Sequence, residues 1–332
     1  MPALALFVLF SLDFRGIWIP RWAIDDHPNI VATLDGRFNH VFLQIYALGE
    51  AYYPSRIAPV KIHDDAWLRD FLLEAHKRGI AVSAWLNVFY AWGYAARTAD
   101  MRHAVNMHPN WFLEDAHGRS ILDYGTEELR DRSIEGYYLT PANAQVRDYI
   151  FDIIDEILGR YEFDGVHLDY LRYPSRQFNN DVALRSEFMR AYCIDPEGIA
   201  SDAYGKRFGL WGSDDLDLRR RSLMRASLTE FVRTLGRRIK AERPYVQMSV
   251  AVKADPESAS RDFCQDWPAW VNEDLVDFVC LMAYSNNIEG VLKRTLSAVN
   301  DPRKVTVGLG IYRQNAEQIK AQVRQVAALP FS

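Results

Sequence analysis

Phe163-Asp164-Gly165-Val166-His167-Leu168-Asp169-Tyr170-Leu171-Arg172-Tyr173-Pro174 is the stretch on which the fold of this 332-residue chain turns. It reads as a buried strand that ends in charged and aromatic residues just before a proline. Alternation puts Gly165, His167 and Asp169 on one face and Val166, Leu168 and Tyr170 on the other. The second face is apolar and suits packing against helices. The first carries an imidazole and a carboxylate that core packing does not call for, and buried charge is costly unless paired or functional. The top of this strand is therefore the expected centre of an active site.

Similar runs recur on both sides of it. Strands are expected at Gly16–Pro20, His40–Tyr46, Ala81–Val88, Gly165–Leu171, Val246–Val252, Asp277–Ser285 and Lys304–Tyr312. Amphipathic helices lie between them. Asp64–Arg78 carries Trp67, Phe71, Leu72 and Ala75 at helical spacing. Pro141–Tyr161 opens with Thr140 as N-cap and Pro141 at the first helical position. Arg219–Arg243 has Leu223, Leu228, Phe231, Leu235 and Ile239 on one stripe, and Gln314–Ala328 closes the series. Seven strand–helix units in one chain favour a (β/α)8 TIM barrel over a doubly wound sheet. Only Leu329-Pro330-Phe331-Ser332 follows the last helix, so the eighth strand is incomplete unless the apolar N-terminal segment fills the gap. No linker or repeat interrupts the pattern, which gives one barrel domain over 14–332 behind an apolar segment at 1–13.

The composition is that of a globular protein, 49% apolar and 25% charged. A net charge of −5 without a basic block argues against nucleic acid as a partner. Cys193, Cys264 and Cys280 form neither a disulfide framework nor a zinc signature. The histidines lack metal-ligand spacing, and there is no GxSxG and no phosphate loop, so neither metal nor cofactor is expected. Ala3–Leu12 is too short to span a bilayer. It fits the remnant of an export signal or an added strand. Export to the cell envelope, periplasm or exterior is the expectation drawn from it, with the cytoplasm left open.

Asp169 can serve as nucleophile, general acid or electrostatic stabiliser in glycosidic bond cleavage. The other strand ends supply candidate substrate-binding groups: Arg21 and Trp22, Gln44, Trp85 and Asn87, His167, Arg172 and Tyr173, Tyr284, and Tyr312. Aromatic rings stack on sugars while amides and charges bind hydroxyls, which makes a carbohydrate the expected partner. Glycoside hydrolysis needs a second carboxylate about 5–9.5 Å away. Asp255, just past the fifth expected strand, is the first candidate, followed by Asp266 and Glu50. Asp164, at the opposite end of the strand, is read as structural.

The run around Asp169, together with Arg15-Gly16-Ile17-Trp18, His108-Pro109-Asn110-Trp111, Leu139-Thr140-Pro141 and Leu281-Met282-Ala283-Tyr284, resembles the bacterial glycosyl hydrolase-like 10 family. The resemblance implies a TIM barrel, export or envelope association, and glycoside hydrolase activity. A more distant similarity is to chitinase-like barrels. Their catalytic acid falls at Leu171 here, so that acid is missing, while Asp169 and Tyr284 match substrate-orienting positions. Two functions are carried forward: a glycoside hydrolase acting on a bacterial or environmental polysaccharide, and a non-catalytic carbohydrate-binding barrel of the envelope.

Overall fold

The computed structural model describes residues 8–10, 14–34 and 36–332. Its strands are β1 (Val8–Phe10), β2 (Arg15–Ile19), β3 (His40–Ala47), β4 (Glu50–Ala51), β5 (Ala81–Asn87), β6 (Tyr90–Trp92), β7 (Tyr137–Tyr138), β8 (Gly165–Asp169), β9 (Gln247–Lys253), β10 (Phe278–Ala283) and β11 (Val305–Leu309). β2, β3, β5, β8, β9, β10 and β11 pair in that order, each parallel to the next. β1 pairs antiparallel with both β11 and β2, which closes the ring. The eighth place in the barrel is thus filled from the apolar N-terminal segment, by a strand running against the other seven. The remainder of that segment, and with it the reading as an export core, lies outside the described residues. Among the described residues no helix is long and apolar enough to cross a membrane.

Each expected strand is present with ends shifted by a few residues. The helices are also found, at Ala66–Lys77, Ala144–Arg160, Ala203–Glu242 and Ala316–Ala327. The second is capped by Asn143, whose side chain accepts from the Gln145 N–H at 2.9 Å, rather than by Thr140. The third begins earlier than its apolar stripe, and Gly209 breaks its first turns with φ 76° and ψ 172°.

Period-two alternation sorts side chains into two cores. Val166 and Leu168 belong to the large layer between sheet and helices, with Ile150, Ile154 and Leu235. Burying each such side chain contributes roughly 1.5–3 kcal/mol. His167 points inward, where Trp18, Phe42, Phe278 and Cys280 fill the barrel. Gly165 and Gly308 are inward positions without room for a side chain: an added Cβ would come within 2.5 Å of Ser83 Oγ and 2.8 Å of the Trp18 ring respectively. β8 stops at Asp169 because Tyr170 takes a left-handed conformation, φ 53°, which turns the chain out of the sheet.

Two long segments follow strand tops. The first, 89–140, carries the antiparallel β6–β7 pair with short helices between its strands. The second, 175–217, carries the helix Val182–Tyr192. Both rise from the C-terminal face, where barrel enzymes place their chemistry.

Candidate active site

The upper halves of the parallel strands surround a cavity of about 490 Å³. β2 and the turn after it supply Trp18, Arg21 and Trp22; β3 supplies Gln44; β5 supplies Trp85 and Asn87. The β8 end gives Asp169, Tyr170 and Arg172, β9 gives Ala251 and Lys253, and the β10 end gives Met282 and Tyr284. Glu135 and Tyr90 enter from the 89–140 segment. Eight of the residues named from sequence therefore meet in one place: Asp169, Arg172, Tyr284, Trp85, Asn87, Gln44, Trp22 and Arg21.

Asp169 stands half-buried at the floor. Its Oδ1 accepts the Tyr170 N–H at 2.7 Å, a short-range bond permitted by the left-handed turn, and its Oδ2 accepts the Trp85 indole N–H at 3.2 Å. Burial pushes its pKa above the ordinary carboxylate value, against these bonds and the nearby charges of Arg172 and Lys253. A left-handed tyrosine is strained, and such outliers persist where surroundings over-determine them. Here the Tyr170 ring is stacked on Tyr90, centroids 4.5 Å apart.

The second carboxylate in the cavity is Glu135. Its Oε1 accepts from Arg172 Nη2 at 2.9 Å, its Oε2 accepts the Tyr138 hydroxyl at 3.0 Å, and Lys253 Nζ lies 4.0 Å away. Burial works to raise its pKa, but Arg172 and Lys253 outweigh burial and hold it below the ordinary range. Arg172 is itself buried, with its guanidinium 5.0 Å from the Tyr170 ring and 5.3 Å from that of Phe263. Lys253 Nζ sits 4.5 Å over the Phe263 ring, and its pKa is pulled down to about 8, first by burial and then by Arg172. Opposite, Gln44 and Asn87 form a fixed polar pair: the Gln44 amide donates to Asn87 Oδ1 at 3.1 Å and accepts the Arg21 backbone N–H at 3.2 Å.

Four sequence-named residues lie outside the cavity lining. Asp255 caps the helix Pro256–Phe263, with Oδ1 accepting the Ser258 N–H at 2.9 Å and Oδ2 taken by Arg294 at 2.5 Å. This carboxylate is engaged in a helix cap and an ion pair away from the cavity, whereas Glu135 lines it beside Asp169. His167 is fully buried one layer below. The Trp18 indole N–H can only donate, so Nε2, 2.9 Å away, accepts, and the proton sits on Nδ1 facing Ser249 Oγ at 2.9 Å. Burial drives the His167 pKa well below its ordinary value, so the ring is neutral packing. Tyr173, past the left-handed turn, is buried against Ser227, 3.2 Å between hydroxyls. Tyr312 lies on the helical turn Ile311–Arg313 and is half exposed. The reserve candidates fare likewise: Glu50 is buried and pairs with Lys61 at 3.0 Å, and Asp266 lies outside the lining.

Among the described residues no group of histidine, cysteine, aspartate and glutamate is arranged to hold a metal ion. The arrangement instead offers one carboxyl group whose pKa is raised by burial and one whose pKa is lowered by neighbouring cations, facing the same space between aromatic walls. A barrel so furnished on its C-terminal face is a glycosyl hydrolase fold. The chain belongs to the glycosyl hydrolase-like 10 family, whose pattern matches residues 13–324.

Among curated proteins it is 22% identical over 275 residues to Glycosyl hydrolase YngK of Bacillus subtilis, covering 74% of this chain and 46% of that protein. It is 30% identical over 164 residues to Glycosyl hydrolase DigH of Escherichia coli K12, covering 44% of this chain and 34% of that protein. The chain thus spans less than half the length of these relatives. Among solved structures, the glycoside hydrolase domain of PgaB (BpsB) from Bordetella bronchiseptica superposes with a TM-score of 0.63 at 16% identity, covering 97% of this chain and 89% of that one.

Proposed function

We propose that this protein hydrolyses O-glycosidic bonds of a polysaccharide, with Asp169 and Glu135 as the working carboxylates. The observation that carries the reading is that Asp169 and Glu135 line one cavity, the first with its pKa raised by burial and the second paired with Arg172, which lowers its own. Pairs of titratable groups pushed apart in this way divide acid from base. Asp169, whose proton affinity burial raises, gives a proton to the departing glycosidic oxygen. Glu135, ionised by Arg172, either attacks the anomeric carbon or draws a proton from the attacking water. Trp85, Tyr284 and Tyr170 supply faces for sugar rings, and Gln44 and Asn87 supply fixed hydrogen-bond groups for hydroxyls. A place in the cell envelope or outside the cell accords with this substrate class and with the family.

Assays of reducing-end release from a polysaccharide panel test the reading. The wild-type protein is expected to release sugar, Asp169→Asn and Glu135→Gln are expected to abolish release, and both variants are expected to keep the wild-type circular dichroism spectrum. Glycan binding with no product from any bound polymer would instead identify a non-catalytic binding barrel. The anomer released, read by proton NMR before mutarotation, then distinguishes attack by Glu135 (retention) from attack by water (inversion).

A further inference from the structure

The charges on the cavity wall do not balance within the protein. Arg172 and Lys253 stand together on one side and Arg21 on the other, and the carboxylates facing them are Glu135 and Asp169. Arg172 occupies Glu135 at 2.9 Å, whereas Lys253 approaches the same carboxylate only to 4.0 Å. No hydrogen bond from Lys253 Nζ is formed among the described residues, although its main chain is pinned at both ends. Its N–H donates to Gln265 Oε1 at 2.8 Å and its carbonyl accepts the Trp267 indole N–H at 3.1 Å. The side chain is a part-exposed ammonium over the Phe263 ring, beside a buried guanidinium. Two like charges brought together in a partly desolvated wall repel, and that cost is offset when a ligand supplies the missing anion.

Resting on the reading of the cavity as a glycan site, we propose that its substrate is an anionic glycan, one sugar of which presents a carboxylate or sulfate to Lys253. The ammonium forms the charge-assisted hydrogen bond, Phe263 supports it from below at 4.5 Å, and Arg172 adds attraction at short range while staying bonded to Glu135. Arg21, resting 5.3 Å from the Trp22 ring on the far wall, offers a second cation to a further acidic residue along the strand of sugars. Binding energy of this kind selects a substrate and places the scissile bond, and it weakens with salt because the ammonium is open to solvent.

The test measures binding of the full chain to polysaccharides offered as matched sets: a polyuronide, its carboxyl-reduced neutral form, and a sulfated form of the neutral polymer. An acidic member is expected to bind about tenfold more tightly than its neutral match, the loss of one charged contact. Lys253→Gln is expected to remove most of the preference and Lys253→Arg to keep it. Tighter binding of the polyuronide identifies a carboxylate ligand, and tighter binding of the sulfated polymer a sulfate ligand. Equal affinity for acidic and neutral partners, or a preference undiminished in Lys253→Gln, overturns the inference while leaving glycan recognition standing. No binding to any polymer across sets of varied backbone overturns both. If Lys253→Gln fails to fold, the wild-type comparison and Lys253→Arg still decide.

Discussion

The two ends of β8 carry two aspartates in opposite circumstances. At the bottom, Asp164 Oδ2 accepts the Val82 N–H at 2.7 Å and faces His76 Nε2 at 2.9 Å, which ties this strand to β5. Asp277 repeats the device below β10, accepting the Met248 N–H at 2.7 Å and Lys240 at 2.9 Å, and Asn39 accepts the Arg15 N–H at 2.8 Å below β3. At the top, Asp169 is bonded to the next residue and one indole while burial lifts its pKa. One end of the barrel uses polar side chains to satisfy backbone donors of the neighbouring strand. The other holds carboxylates against aromatic walls, where their proton affinities move. The difference separates the end where the fold is stabilised from the end where the proposed chemistry would be done.

The largest expected effect separates the two aspartates by activity. Asp169→Asn lowers kcat by about 10²–10⁴, the range for a lost general acid. Its melting temperature at pH 7 holds or rises. A carboxyl whose folded pKa exceeds its unfolded value destabilises the fold once pH passes the unfolded value, and the amide removes that term. A sharp fall in melting temperature would assign Asp169 to the structural class. Next comes Arg172→Met. Without this cation the Glu135 pKa returns upward, so the acid limb of kcat/KM shifts to higher pH. The loss of a buried, paired charge also lowers stability by about 1–3 kcal/mol. An unmoved acid limb would separate Glu135 from catalysis.

Asp181 sharpens the contrast from a third position, buried at the start of the helix Val182–Tyr192, with its pKa raised by burial to about 6. The fold prefers its neutral form, so stability falls as pH rises from about 4 through about 6. Asp181→Asn keeps an acceptor for the Leu184 N–H and is expected to add on the order of 1–2 kcal/mol at pH 7–8, with the gain vanishing below about pH 4. Thermal melts at several pH values check it, and a gain independent of pH would refute the titration account. The smallest effect is that of Asp164→Ala: about 1 kcal/mol lost in denaturant unfolding with kcat/KM within twofold of wild type. A loss of activity there would erase the distinction between the two ends.

Alternation and apolar runs are properties of neighbouring residues, so the strand faces, the barrel and the strand-top residues Gln44, Trp85, Asn87 and Tyr284 could be read from sequence. Depth along a strand is not encoded in alternation. His167 shares a face with Asp169 but sits about 7 Å lower, at roughly 3.3 Å of rise per residue, inside the packed barrel. Tyr173 was misplaced because the left-handed turn at Tyr170 resets the alternation beyond it. Glu135 comes from the turn before β7 inside a long segment, and only the location of that segment above a strand top points toward the site. Asp255 did carry a signal of its real role: an aspartate before Pro256 and three residues before Ser258 is a helix N-cap pattern. Closure by β1 was open in the sequence because a three-residue strand has too little pattern to fix its direction.

The separated proton affinities of Asp169 and Glu135 can be measured without knowing the sugar. A carbon-13 NMR titration of the side-chain carboxyls, assigned through Asp169→Asn and Glu135→Gln, reads both groups in the substrate-free protein. The account predicts that Asp169 titrates above the ordinary aspartate value of 3.8 and Glu135 below the ordinary glutamate value of 4.5. Ordinary values for both groups, or shifts opposite to these, would contradict the division of labour on which the proposed hydrolysis rests.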